Sequence, residues 1–236
     1  MNRRTLGAAG GLLAFAGVAA WAVGRADEAR GPRPEEQRPS LALLTSLPLM
    51  FGESFGLDNG GSAALTRIEQ RYNVLPIGIA DASSLKSQHL LLMAHSRAQP
   101  AEVLVELDQW VRDGGRVLLL ADPRLDWPSE RPLGDRLRPS PAFADTGLLK
   151  HWGVTLHAPD APGPVEIEGV GLVTSSPGRL ESQVCRLAHD GFIARCRIGK
   201  GSATIIADAD FLNVEEASDQ GNLDLLIDEL GRLESR

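Results

Sequence analysis

The sequence predicts an α/β domain with three layers, in which helices cover both faces of a mostly parallel sheet and a small antiparallel β insert is added. Three observations carry this. First, nearly continuous apolar runs recur at Leu41–Leu47, His89–Ala94 and Arg116–Ala121, as in strands covered on both faces. Second, Val103, Leu104, Leu107, Trp110 and Val111 lie between the last two runs at helical spacing. Strands alternating with helices of this length indicate βαβ units. Third, after Pro159 the pattern shifts to Val165–Thr174, Arg179–Leu187 and Phe192–Ile198 with no helix between them. Asp190-Gly191 is a type I′ hairpin signal there.

Each element has a local cause. Arg3 and Arg4 precede a span from Leu6 to Val23 without a charged residue. That is the composition of an export signal or of a short membrane anchor, and Gly24-Arg25-Ala26 supplies small residues for cleavage. Segment 1–25 is therefore expected to be a signal or anchor, with a buried core helix as the alternative. It would place the domain outside the cytoplasm, anchored or released to the periplasm. The four arginines that follow, Arg25, Arg30, Arg33 and Arg38, argue the other way by the positive-inside rule. Residues 26–40 are charged and carry Pro32, Pro34 and Pro39, so they read as a linker that packs poorly.

The single domain then spans 41–236. Leu41–Leu47 is the first strand, ended by Pro48. Ser62 caps a helix that reaches Tyr72, and Val74–Ile79 is the next strand. Pro100 opens the helix before Gly114-Gly115. The stretch Asp122–Pro141 is long, charged and Pro-rich, the profile of a functional or disordered loop. A helix over Asp145–Trp152 and a strand over Val154–His157 follow. The insert occupies about 160–198, Ser202–Ala207 returns to the main sheet, and Asn222–Leu233 is the closing helix.

Composition excludes some functions. A net charge of −7 and a pI of about 5.3 are unsuited to a nucleic-acid surface, which needs clustered Lys and Arg. Aromatics at 5% argue against a base-stacking platform or sugar groove.

Cys185 and Cys196 flank the Asp190-Gly191 turn. If those two residues are the loop, His189 pairs with Phe192 and Cys185 falls opposite Cys196. Cross-strand neighbours are close enough for a disulfide. The alternative is two small buried hydrophobes. Their spacing does not suit zinc, and no metal centre is expected.

In open parallel sheets, ligands bind beyond the carboxyl ends of the strands. Those positions hold Thr45 and Ser46, then His95, Ser96 and Arg97, then Asp122 and Arg124, and last Asp208 and Asp210. These residues, with Trp127 from the long loop, form the candidate ligand or partner patch. A triad would use Ser46 or Ser96 with His95 and Asp122, but neither serine sits in a Gly-x-Ser-x-Gly elbow. Asp208 and Asp210 could join Asp122 around a hard cation. The reading preferred is that Asp210 caps the next turn and Asp208 binds loop amides. Gly199-Lys200-Gly201 is a tight turn, too short for a phosphate loop. Trp110 and Trp152 read as core, whereas Trp127 could anchor a partner or pin the loop. No catalytic residue and no cofactor is expected.

An ordered set of motifs runs through the domain. Leu104–Pro123 reads LVELDQWVRDGGRVLLLADP, Leu149–Val154 reads LKHWGV, Ile198–Leu212 reads IGKGSATIIADADFL, and Gly221–Leu226 reads GNLDLL. Together they resemble the auxiliary domain of gliding-motility-type ABC transporters and related domains of unknown function, over about Leu41 to Leu233. The resemblance implies a flavodoxin/amidotransferase-like fold, that of class I glutamine amidotransferases without the catalytic residues. It also implies a non-catalytic, membrane-associated accessory module working with ABC permease or ATPase subunits. The chain carries no ATPase motif, and neither cysteine lies at a strand-to-helix elbow. Two further readings stand beside it: an exported small-molecule-binding domain using the strand-end patch, and a hydrolase.

Overall fold

The computed structural model describes residues 30–51, 61–168, 170–214 and 220–235. The chain is α/β. Strands β1 (Ser40–Thr45), β2 (Asn73–Pro76), β3 (Leu90–Ala94), β4 (Arg116–Leu120), β9 (Arg186–Ala188), β10 (Ile193–Ile198) and β11 (Gly201–Ile206) form one sheet in the order β2-β1-β3-β4-β11-β10-β9. The first five strands of that order run parallel; β10 is antiparallel to β11, and β9 to β10. Two separate antiparallel pairs complete the β structure of the described residues. They are β5 (Val154–His157) with β8 (Arg179–Ser182), and β6 (Pro164–Ile167) with β7 (Leu172–Ser175).

Strand alternation divides the core in two. Leu41, Leu43, Leu118 and Leu120 face one side, with Leu65 and Ile68 of α1 (Ala63–Glu69) and Leu226 and Leu230 of α5 (Gln220–Glu234). Ala42, Leu44, Val117 and Leu119 face the other, with Leu85 of α2 (Ala82–Leu85), Leu107 and Val111 of α3 (Ala101–Arg112), and Leu149 of α4 (Leu148–His151). Every residue of β3 and β11 is buried, which explains why these runs show no polar alternation. Ser62 caps α1 by accepting a hydrogen bond from the Leu65 amide at 3.1 Å.

Several boundaries differ from expectation. Val165–Thr174 is a hairpin, β6 turning into β7, with Gly171 at φ 66°. Arg179–Leu187 is divided, β8 pairing with β5 and β9 joining the main sheet. Residues 145–147 stay outside α4, where Asp145 accepts from the Gly147 amide. From Arg30 onward the stretch read as a poorly packing linker is docked. Arg30 pairs with Asp224 and Asp228 of α5, Arg33 with Glu234, and the Arg33 amide donates to Gln70 O. The linker reading looked for apolar contacts, whereas this segment is held by charge complementarity to the last helix.

The expectation of a transmembrane helix is corrected, and with it the membrane-anchor and signal-peptide readings that hung on it. No helix among the described residues is long and apolar enough to cross a membrane. Even the 15-residue α5 rises only ~22 Å, against a hydrocarbon core of ~30 Å. The segment 1–25 on which that expectation rested lies outside the described residues.

The hairpin register is that of the two-residue loop. Ala188 stands opposite Ile193 and Arg186 opposite Arg195, which puts Cys185 opposite Cys196. Asp190 (φ 51°) and Gly191 (φ 89°) supply the two positive-φ positions a type I′ turn needs, and the Phe192 amide donates to His189 O. Cys185 and Cys196 form a disulfide with Cα atoms 4.4 Å apart. The Gly199-Lys200-Gly201 turn joins β10 to β11 against the end of α3. A Cβ on Gly201 would stand 2.1 Å from Gly115 O and 2.2 Å from Val111 O, so only glycine fits.

Candidate functional site

The carboxyl ends of β1, β3, β4 and β11 converge as the topology requires, and the chain from 121 to 147 is laid over them. Each edge of this loop is tied down. The Phe143 amide donates to Asp122 O, the Leu125 amide to Pro141 O, and the Asp126 amide to Asp210 Oδ2 at 2.7 Å. Asp126 in turn accepts from the Ser175 and Ser176 hydroxyls at 2.8 and 2.6 Å, which fastens the loop to the β6–β7 hairpin. Those hydroxyls, Ser176 first, hold the Asp126 carboxyl below its ordinary pKa. Trp127 and Leu125 are half-buried against the core, so Trp127 pins the loop.

At the end of β3, His95 is buried with φ 45°, a left-handed conformation that costs a non-glycine residue energy. Its amide donates to Leu120 O, and its carbonyl accepts from Ser46 Oγ at 2.6 Å. The ring meets Phe143 edge-on, with centroids 6.4 Å apart. Its Nε2 lies 2.9 Å from Ser140 O. A carbonyl only accepts, so Nε2 carries the hydrogen and Nδ1 the lone pair. Among the described residues Nδ1 has no hydrogen-bond partner, and neither does the buried Ser96 Oγ beside it in sequence. Burial pushes the His95 pKa down, and the Ser140 contact opposes this.

A stability effect follows. The unfolded histidine titrates at about 6.5 and the folded one lower, so between the two values the unfolded chain binds more protons. The contribution of neutral His95 is complete above pH ~6.5 and is lost as pH falls toward the folded-state value, ~1.4 kcal/mol for each tenfold change in proton affinity. Asparagine does not titrate and tolerates positive φ. Urea unfolding of wild type and His95→Asn at pH 5, 6 and 7 should therefore show a gap that shrinks as pH falls. A constant gap would contradict this account of the ring.

The triad does not assemble. Ser46 spends its hydroxyl on a backbone carbonyl, the Ser96 hydroxyl has no hydrogen-bond partner among the described residues, and the His95 ring is turned to the loop. Arg97 is exposed and reaches Arg136 O. Arg124 is exposed and faces Asp126 at 3.7 Å.

Asp122, Asp208 and Asp210 do come together. They are buried, and each offers one oxygen such that these atoms lie within 4.8 Å of one another. Asp122 Oδ1 accepts from the Arg124 amide and Oδ2 from the Ala209 amide, both turns that close the strand ends. Asp208 Oδ1 accepts from Thr174 Oγ1 at 2.6 Å and the Phe211 amide at 3.0 Å. The expected roles are thus divided differently, with Asp208 accepting from the Phe211 amide inside the short turn Asp210–Leu212 while Asp210 serves the loop. Burial raises Asp122 to about 6 and Asp210 to about 7. It raises Asp208 well above the carboxylate range, with the Asp122 charge adding to it.

Sequence reading located the three aspartates, His95 and both serines. It missed Thr174, Ser175, Ser176, Asp126, Ser140 and Phe143, all contributed by the loop and the insert. Surface cavities of about 250 and 500 Å³ lie against the insert, lined in part by Val165 and Arg179, and one of about 430 Å³ lies between α1 and α5. None of these three is lined by a residue at the carboxyl ends of β1, β3, β4 or β11.

No family model and no curated protein matches the chain. Solved structures are similar to it at low identity. The mmIFT52 N-terminal domain superposes with a TM-score of 0.51 at 12% identity, covering 81% of this chain and 96% of that domain. An exo-beta-1,4-mannosidase from Opitutaceae bacterium strain TAV5 gives 0.49 at 14%, covering 82% of this chain, which spans only 36% of the mannosidase. A cytoplasmic protein of Salmonella typhimurium LT2 gives 0.46 at 12%, covering 80% of this chain and 99% of that protein.

Proposed function

We propose that this domain is a non-catalytic accessory module that works by binding a protein partner. The observation that carries the reading is the strand-end face. Where an open α/β sheet receives its ligand, this chain places its own loop, hydrogen-bonded at Asp122, Ser140, Asp126 and Asp210. The strained turn after β3, where an elbow would present a nucleophile, holds His95 with its ring tied to the loop. The strand order 2-1-3-4 is that of flavodoxin-like sheets and supports the flavodoxin/amidotransferase-like assignment. The outer side of the loop exposes Leu133 and Leu137, at 83% and 64%, a surface suited to a partner.

The partner class implied by the motif resemblance is the permease or ATPase of an ABC-type transport system. The Cys185–Cys196 disulfide supports residence in an oxidising compartment, since thiols in the cytosol are kept reduced. The test is affinity purification of the tagged full chain from detergent-treated source cells, with mass spectrometry of what is retained. Recovery of an ABC permease or ATPase, lost in Leu133→Ser/Leu137→Ser, is the expected result. A chain that elutes alone, or a partner retained equally by the variant, counts against the reading.

A further inference from the structure

We propose that Asp122, Asp208 and Asp210 bind a hard divalent cation, of the Ca²⁺ or Mg²⁺ kind, that clips the long loop and the insert to the ends of β4 and β11. This stands independently of the partner reading.

Two separate observations point to it. The first is geometric: three buried carboxylates offer oxygens within 4.8 Å of one another. Oxygens bound to a common Ca²⁺ at 2.3–2.6 Å lie at most ~4.6–5.2 Å apart, so three oxygens this close fit within one coordination sphere. The second is an orphaned atom. Asp208 is wholly buried, and its Oδ1 is taken by Thr174 and the Phe211 amide, but its Oδ2 has no hydrogen-bond partner among the described residues. A carboxylate oxygen out of water without a donor is costly, and a metal is the partner that would satisfy it.

Charge agrees. None of the ion pairs among the described residues involves these three carboxylates; Arg124 turns to Asp126 instead. The donor set selects the metal class. Oxygen ligands without His or Cys suit Ca²⁺, Mg²⁺ or Mn²⁺ and disfavour zinc or copper. The consequences follow from what each ligand already holds. Asp122 begins the loop, Asp210 accepts the Asp126 amide from it, and Asp208 holds Thr174 of β7. A cation at their centre would tie loop, hairpin and sheet into one unit.

The test uses the full chain, stripped with EDTA and dialysed into metal-free buffer at pH 7.5. Isothermal titration with CaCl₂ and, separately, MgCl₂ should show one site for at least one of the two. Thermal unfolding should rise by about 5–10 °C at a hundredfold excess over Kd. Asp208→Asn is the diagnostic variant, because an amide oxygen can still accept from Thr174 and Phe211 while its NH₂ cannot ligate a metal. Its affinity should fall at least tenfold, and Asp160→Asn, an exposed acid in the insert, should behave as wild type. No heat and no Tm shift with either ion at millimolar concentration would overturn the proposal. So would a shift of equal size in Asp208→Asn, or one reproduced by NaCl at matched ionic strength. The wild-type calorimetry decides the question even if the variant does not fold.

Discussion

Replacing Glu229 by alanine is expected to be among the most destabilising single changes in this chain, by ~3–5 kcal/mol. Glu229 lies on α5 with its carboxylate 1% exposed, and it grips Arg195 of β10 in both directions. Its Oε2 accepts from Arg195 Nε at 2.9 Å and its Oε1 from the terminal nitrogen at 2.5 Å. Arg232 approaches the same Oε1 at 3.3 Å, but from an exposed position where it contributes little. The Glu229 hydrogen bonds raise the Arg195 pKa against the burial that would lower it. Truncation leaves a guanidinium that is 14% exposed with its partner gone, and the cost is that of a largely buried, uncompensated charge. The expectation for the double change Arg195→Met/Glu229→Met is therefore the opposite in kind, close to wild-type stability, because both desolvation penalties vanish together. Urea denaturation of Arg195→Met, Glu229→Met and the double change measures this as a cycle. Additive effects would mean that the pair does not act as a unit.

The disulfide is expected to give the second large effect. Cys185 and Cys196 are 11 residues apart, and closing a loop of that size removes denatured-state entropy worth ~3 kcal/mol. Cys196 is buried in the core on the α3 side, so Cys185→Ser/Cys196→Ser adds the cost of a hydroxyl there, whereas Cys185→Ala/Cys196→Ala isolates the cross-link. The Ala pair should unfold about 6–12 °C below wild type. Wild type in a strong thiol reductant should approach the same midpoint, and the reductant should leave the Ala pair unmoved. Equal midpoints for oxidised and reduced wild type would show that the turn and β9–β10 pairing already fix the hairpin without the bond.

How much of this was legible in the sequence differs from one element to the next. The parallel strands were, because a strand buried on both faces has no polar residue to spare: β3 and β11 are buried at every position. The hairpin register was also legible. A two-residue loop with Asp190 and Gly191 admits one pairing, and that pairing fixes Cys185 against Cys196. The hairpin between β6 and β7 was not, since β6 is largely exposed and β7 alternates over only four residues, too short a pattern to reveal the turn between them. Nor was the docking of residues 30–39, which is electrostatic and depends on acids near the other end of the chain.

The site divides along the same line. That Asp122, Asp208 and Asp210 stand at strand ends is a property of the sequence, since Asp122 and Asp208 follow directly on apolar runs and Asp210 comes two residues after Asp208. Their meeting is a property of topology, because only the placement of β11 beside β4 brings positions more than 80 residues apart within reach of one cation. The role of His95 was decided later still. Its sequence context is compatible with catalysis, whereas the fold lays Ser140 and Phe143 against the ring. By itself the sequence determined the layers, the parallel order of burial and the hairpin, because these depend on local periodicity and turn chemistry. Only the tertiary structure decided what the strand ends face, because that depends on where a twenty-residue loop with no periodicity of its own comes to rest.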